Sequence, residues 1–403
     1  MSRILYAWEL GGGFGHVAVA SPLALALKRR NHEIELVLRD LKSVDFFLTP
    51  HGLSAWQAPI AWRNEIPNPA SYAEILYGMG YHDPKGLIGI VRAWRRLFEI
   101  LKPDMLLADH APTALLAARG LSFPCATIGT GFYSPPRLSP IPSFRTWERV
   151  DPVRLITAEQ RVLAGMNAVA ECLGQSPFGA VSDLFAVDET FLLTWPELDH
   201  YPARGSACYR GPMMPREMGA SPCWSKDGGK KIFGYLKADY LHIDKLLKGL
   251  RDCGRSTLIY LQGDSSGQLA ARYRSPSLSI VSEPLSFDAV MHEADMVVCH
   301  AGMNTISAAL LAGKPLLLAP MQAEQHINAQ RVVALGCGIS FVPELMANKV
   351  STSLEQLLQN LSYTNHARNF ASKYADFNPD EQVTGIVERV ETRISHNEIC
   401  RLI

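Results

Sequence analysis

The 403-residue sequence has no surplus of either charge, with 39 Lys and Arg against 39 Asp and Glu. Nucleic-acid binders usually carry a basic excess, so that class is unsupported. The eight cysteines are scattered, from Cys125 to Cys400, with no C-x-x-C pair and no zinc-finger spacing. Reduced thiols in a cytosolic protein are the simple reading. No apolar run reaches the roughly 18–20 residues of a membrane span. Met1-Ser2-Arg3 leads straight into a strand pattern that a glycine loop interrupts, which does not match a signal peptide. A soluble protein of the cytoplasm is expected. Walker A and HExxH motifs are absent, so NTPase and zinc-enzyme chemistries lack support. Solenoid repeats and low-complexity tracts are absent too.

What is present is an apolar share of 47%, enough to build sizeable cores, in a chain whose length suggests two domains. Short apolar runs alternate with helical periods. Ile4–Trp8 reads as a strand, Gly11–Gly15 as a loop, His16 to Arg30 as a helix and Glu33–Leu38 as the next strand. Lys85–Lys102 places Leu87, Val91, Trp94, Phe98 and Leu101 at a helical period. Strand Met105–Ala108 runs into Asp109, and Pro112–Arg119 and Pro124–Ile128 continue the rhythm. This alternation predicts a parallel, doubly wound sheet. Residues 210–231, rich in Pro and Gly, break it and read as a linker. A second α/β series follows from Ile232, and residues 380–403 open as an amphipathic helix. The expected division is therefore 1–209, a linker 210–231, 232–379, and a terminal helix 380–403.

Three clusters carry chemistry. Met296–Cys299 is a buried-strand pattern, followed by His300, Gly302, Asn304 and Thr305 at a helix start, where free N–H groups and the helix dipole suit a phosphate. Asn and Thr also cap helices ordinarily. After the next apolar run stand Glu324 and Gln325, a carboxylate-amide pair suited to sugar hydroxyls, or an exposed first helical turn. A diphosphate grip beside hydroxyl-binding groups describes a nucleotide sugar. The loop with Gly12, Gly13 and Gly15 lies between a strand and a helix. His16 at that helix start is a candidate general base and Asp109, ending another strand, its orienting carboxylate. The same loop, Gly13–Ala18, also fits a loose dinucleotide form, with Asp40 placed to hold a ribose, which keeps a nicotinamide-dependent oxidoreductase open. The basic residues Arg92, Arg95 and Arg96 opposite the Trp94 face leave two readings, a solvated helix side or a peripheral membrane contact. Tyr133–Trp147, rich in proline and aromatics, reads as a loop over an apolar acceptor or as a surface excursion.

Together these residues resemble family 1 of the GT-B glycosyltransferases, the UDP-glycosyltransferases and bacterial macrolide glycosyltransferases, and more distantly family 28. The likeness is strongest over Ser282–Gly338. It implies two Rossmann-like domains facing across a cleft, the acceptor in the amino half and the nucleotide sugar mainly in the carboxyl half. It implies an inverting transfer from a nucleotide sugar, a UDP-sugar in the first instance, to a small-molecule, lipid or glycan hydroxyl, with no metal, no separate cofactor and no nucleic acid. His16 and Asp109 match the base and its aspartate. His300, Gly302, Asn304 and Thr305 match the diphosphate ligands, and Glu324 and Gln325 the pair that reads the donor sugar. Two positions depart from the pattern. Ala308 stands where a ribose-binding glutamate is usual, and Gly234-Tyr235-Leu236-Lys237 replaces a small-residue loop, with Lys237 a substitute phosphate ligand. A non-catalytic sugar-nucleotide-binding subunit and a sugar-nucleotide epimerase remain as alternatives on the same fold.

Overall fold

The computed structural model describes residues 1–12, 15–42, 44–61, 66–214, 219–225, 229–341 and 350–402. The chain divides into two compact units, Met1–Pro215 with Asn378–Ile403, and Arg216–Phe377.

The first unit is built on strands β1 (Arg3–Trp8), β2 (Glu33–Leu38), β3 (Ala55–Gln57), β4 (Met105–Asp109), β5 (Cys125–Gly129) and β6 (Glu189–Leu192). All pair in parallel, in the order β3-β2-β1-β4-β5-β6. The second unit repeats this topology with β7 (Lys231–Lys237), β8 (Ser256–Gln262), β9 (Leu278–Val281), β10 (Met296–Cys299), β11 (Leu316–Leu318) and β12 (Gly338–Ser340), ordered β12-β11-β10-β7-β8-β9. Both are doubly wound sheets. The winding reverses between β1 and β4 in one and between β7 and β10 in the other, and such sheets bind ligands beyond the carboxyl ends at that point.

The continuous apolar runs of β1, β4 and β10 are buried because parallel strands are covered on both faces. Helix Pro84–Leu101 starts where the Asp83 carboxylate accepts the Lys85 N–H, and ends at Lys102 in a left-handed conformation. It buries Leu87, Val91, Trp94, Phe98 and Leu101, each contributing about 1.5–3 kcal/mol. Its basic side is tied to protein: Arg95 donates to the carbonyls of Ala117 and Arg119, Arg96 pairs with Glu99, and Arg92 donates to Cys172 Sγ. Helix Pro152–Cys172, 21 residues long, has an Asp151 cap and no clear apolar stripe in its sequence.

The terminal helix Pro379–Leu402 belongs to the first unit. Ile386, Val387, Val390 and Ile394 enter the same core as β1 and helix Gly15–Arg29. Arg30 and Arg389 anchor it through Glu391 and Glu189, and Gln382 donates to the Gly211 carbonyl. The stretch 210–231 is shared between the units rather than free of both. Arg210 and Gly211 donate to Leu192 and Thr194 of the first, while Ala220 bridges Leu285 of the second.

Candidate active site

In the first unit the polar groups gather where β1 and β4 end side by side, with Trp8 opposite Asp109 in register. Helix Gly15–Arg29 begins there, and His16 sits in its first turn. His16 Nδ1 lies 2.8 Å from Asp109 Oδ2. The His16 side chain is 12% exposed and that of Asp109 1%, so solvent or substrate reaches the imidazole and not the acid. Tyr6 donates its hydroxyl to the same Oδ2 at 2.6 Å, while Oδ1 has no hydrogen-bond partner among the described residues. Burial and the Asp109 charge hold the Tyr6 phenol well above its ordinary range, so it stays a donor. A carboxylate only accepts, so Nδ1 carries the proton and the imidazole lone pair is on Nε2. That is the tautomer a general base needs.

The backbone is shaped around this ring. Gly11 has φ +84°, and a Cβ there would lie 2.7 Å from His16 Nε2 and 3.2 Å from His110 Nδ1. Trp8 stacks on the imidazole at 4.8 Å and 19°. His110, at φ +47°, stacks on Tyr133 at 4.4 Å and 8°. Its carbonyl accepts the Leu10 N–H, which ties the two strand ends together. The buried Glu9 accepts from the N–H groups of Thr113 and Ala114 and from the Thr113 hydroxyl, so it caps the helix that follows Asp109. Burial pushes the Glu9 carboxyl up to about 7. The loop bearing Tyr133 is held by a buried Asp199–Arg204 pair, with Arg204 also donating to the carbonyls of Ser134 and Gly131.

In the second unit the turn after β10 passes through Ala301 at φ +60°, and Asn328 donates to the Ala301 carbonyl at 3.0 Å. Helix Met303–Leu311 follows, with Gly302 at its N-cap and no side chain capping its first N–H groups. Asn304 and Thr305 lie in its first turn. His300 is buried, and both its ring nitrogens are engaged. Nε2 accepts the Lys237 N–H at 2.8 Å, and Nδ1 is 2.7 Å from the Ala319 carbonyl, to which it must donate. The ring therefore joins the ends of β7, β10 and β11 as a neutral imidazole. Burial pushes its pKa down, against the pull of the Ala319 carbonyl. Glu324 and Gln325 are half-buried in the first turn of helix Ala323–Ala334. Gln325 Oε1 accepts the Met321 N–H at 2.8 Å, which leaves its amide N–H groups facing away from that bond.

Residues 279–389 match the family described as erythromycin biosynthesis protein CIII-like, C-terminal domain. A PGL/p-HBAD biosynthesis glycosyltransferase of Mycobacterium tuberculosis is 22% identical over 361 residues, covering 82% of this chain and 79% of the relative. Among solved structures, the glycosyltransferase VinC in complex with dTDP superposes with a TM-score of 0.68 at 16% identity, over 97% of this chain and 100% of the other. The spinosyn rhamnosyltransferase SpnG, complexed with spinosyn aglycone, gives 0.67 at 15% identity, over 96% and 100%. The chain is a glycosyltransferase of GT-B fold.

In this glycosyltransferase His16 and Asp109, 93 positions apart, meet at one sheet edge. His300, Gly302, Asn304 and Thr305 share one strand-helix turn, and the His300–Ala319 bond links it to the turn that leads to Glu324 and Gln325. Gly15 opens helix Gly15–Arg29 and Gly12 is exposed, whereas Gly13 lies outside the described residues. Asp40 accepts the N–H of Lys42, as in an ordinary Asx turn. Sequence reasoning missed Glu9, Tyr6 and His110. Glu9 had a signal, an acid directly after a buried strand, while the others depend on contacts made across the fold. No described helix of the glycosyltransferase is long and apolar enough to cross a membrane.

Proposed function

We propose that this glycosyltransferase transfers a sugar with inversion from a nucleoside diphosphate donor to the hydroxyl of an apolar acceptor, without a metal. The His16–Asp109 hydrogen bond of 2.8 Å carries the reading. His16 Nε2 takes the acceptor proton as the acceptor oxygen attacks the anomeric carbon and the diphosphate leaves. Asp109 fixes the tautomer and stabilises the imidazolium that forms. The uncapped start of helix Met303–Leu311, with Gly302, Asn304 and Thr305, receives the charge that develops on the leaving diphosphate. Glu324 and Gln325 bind donor hydroxyls. His300 serves the diphosphate by fixing the turn and the Lys237 N–H. The aromatic surroundings of His16, from Trp8 to Tyr133, support an apolar acceptor. The donor base is a pyrimidine; the sequence resemblance favours uracil, and VinC, solved with dTDP, favours thymine.

The test is a panel of UDP- and dTDP-sugars with apolar hydroxyl acceptors, read as nucleoside diphosphate release and product anomer. Expected are acceptor-dependent release, an inverted anomeric centre and full activity in excess EDTA. His16→Ala should lower kcat by about 10²–10⁴ while leaving donor affinity unchanged. Undiminished transfer by that variant removes the base assignment, and a retained anomeric configuration removes the single displacement.

A further inference from the structure

Strand β7, at the centre of the second sheet, begins and ends on lysine. At its amino end Lys231 pairs with Glu293, and the preceding Lys230 pairs with Asp295. At its carboxyl end the half-buried Lys237 has no ion-pair or hydrogen-bond partner for its ammonium among the described residues. Yet its backbone is fixed, because its N–H donates to His300 Nε2 at 2.8 Å. The residue that carries this unpaired cation is thus held at its backbone to His300, just before the turn that opens helix Met303–Leu311.

Among the described residues assigned above to the donor diphosphate, no other side chain brings a positive charge. A helix start offers about half a positive charge, against the several negative charges of a nucleoside diphosphate. His300 adds none, since one ring nitrogen accepts and the other donates within the protein. Asn304 and Thr305 are neutral.

We propose that Lys237 is the charged ligand of the donor diphosphate, its ammonium binding the phosphate oxygens and neutralising the leaving group as the sugar bond breaks. The assignment rests on the donor reading given above. It also gives the departure at Gly234–Lys237, which the structure places within β7 and not in a loop, a chemical purpose: a cation at the strand's end adds the positive charge that a small residue there does not provide. Because the bond to His300 uses the backbone N–H, replacing the side chain leaves that bond in place.

The experiment is isothermal titration of the full chain with UDP and dTDP, for the wild type, Lys237→Gln and Lys237→Arg, with ligand-free Tm measured alongside. A charge-assisted contact predicts a roughly 10- to 100-fold weaker diphosphate affinity for Lys237→Gln. Lys237→Arg should recover most of it, Tm should stay unchanged, and affinity should depend less on salt in the Gln variant. Unaltered affinity in Lys237→Gln overturns the assignment. So does a loss that arginine does not recover and that tracks a fall in Tm. A folded wild type that binds neither nucleotide overturns the donor reading together with it, so the two failures are distinguishable.

Discussion

The two units carry the same strand order and a histidine beside the same reversal of winding, yet the two rings are in opposite situations. His16 is a partly exposed ring with a carboxylate on one nitrogen. His300 is a buried ring with a backbone carbonyl on one nitrogen and a backbone N–H on the other. A carboxylate partner supports a ring that gains a proton during turnover. A pair of peptide groups supports a ring that never changes its charge. Residue type and place in the fold are therefore not enough to assign a base; the partner on the second nitrogen decides. Both turns also hold a non-glycine residue in the left-handed region, His110 after β4 and Ala301 after β10. In each, a hydrogen bond to that residue's carbonyl holds the turn, from the Leu10 N–H in one and the Asn328 amide in the other.

The contrast breaks most visibly at the carboxylate. Asp109→Asn keeps the shape but allows the amide to donate to Nδ1, which drives the proton to Nε2. Steady-state kinetics should show kcat lower by about 10²–10⁴, with Tm and nucleotide affinity close to wild type. A near-normal kcat would mean that His16 is not the base.

The complementary change, His300→Ala, should act on stability and nucleotide affinity before chemistry. It orphans the Lys237 N–H and the Ala319 carbonyl, at about 1–3 kcal/mol for each buried group. Thermal unfolding should reveal a loss of roughly 2–4 kcal/mol, partly offset if water fills the space. The ring also has a pH signature. Its folded pKa is lowered, so the unfolded chain takes up the proton first, and the stabilisation present above the ordinary imidazole range is lost as pH falls through it. In His300→Ala that part of the acid-side loss should be gone, and an unchanged slope would count against the neutral strut.

A smaller effect of opposite sign belongs to Glu9 in the first unit. Its folded carboxyl is raised from 4.5 to about 7, so the folded state keeps its proton longer than the unfolded chain. Its contribution is full below the ordinary glutamate range and is lost as pH rises towards 7, by up to about 3 kcal/mol. Glu9→Gln should flatten the pH dependence of Tm between pH 4.5 and 7. It should also loosen the segment after Asp109 slightly, visible as a modest fall in kcat. An identical pH–Tm curve in the variant would show that Glu9 titrates in the normal range.

Much of this architecture is legible in the sequence because parallel strands need continuous apolar runs. Strand Glu33–Leu38 has the bounds that its pattern predicts. His16 and Asp109 were readable as a pair because each ends or begins an element at a carboxyl strand end. What was not readable depends on three-dimensional partners. Nothing near His300 in sequence reveals that Lys237, 63 positions earlier, occupies one of its nitrogens. Helix Pro152–Cys172 went unseen because small residues such as Ala158, Gly165 and Ala170 serve on its buried face and blur its period.

The return of helix Pro379–Leu402 to the first unit makes the second unit an insertion within it. During synthesis on the ribosome, the strands of the first unit emerge long before the residues that complete their core. Ile386, Val387, Val390 and Ile394 arrive only after all of Arg216–Phe377 has been translated. Until then the nascent chain carries an uncovered apolar face beside helix Gly15–Arg29, a surface on which a chaperone has reason to act. The second unit, contiguous in sequence, is under no such delay and can fold first.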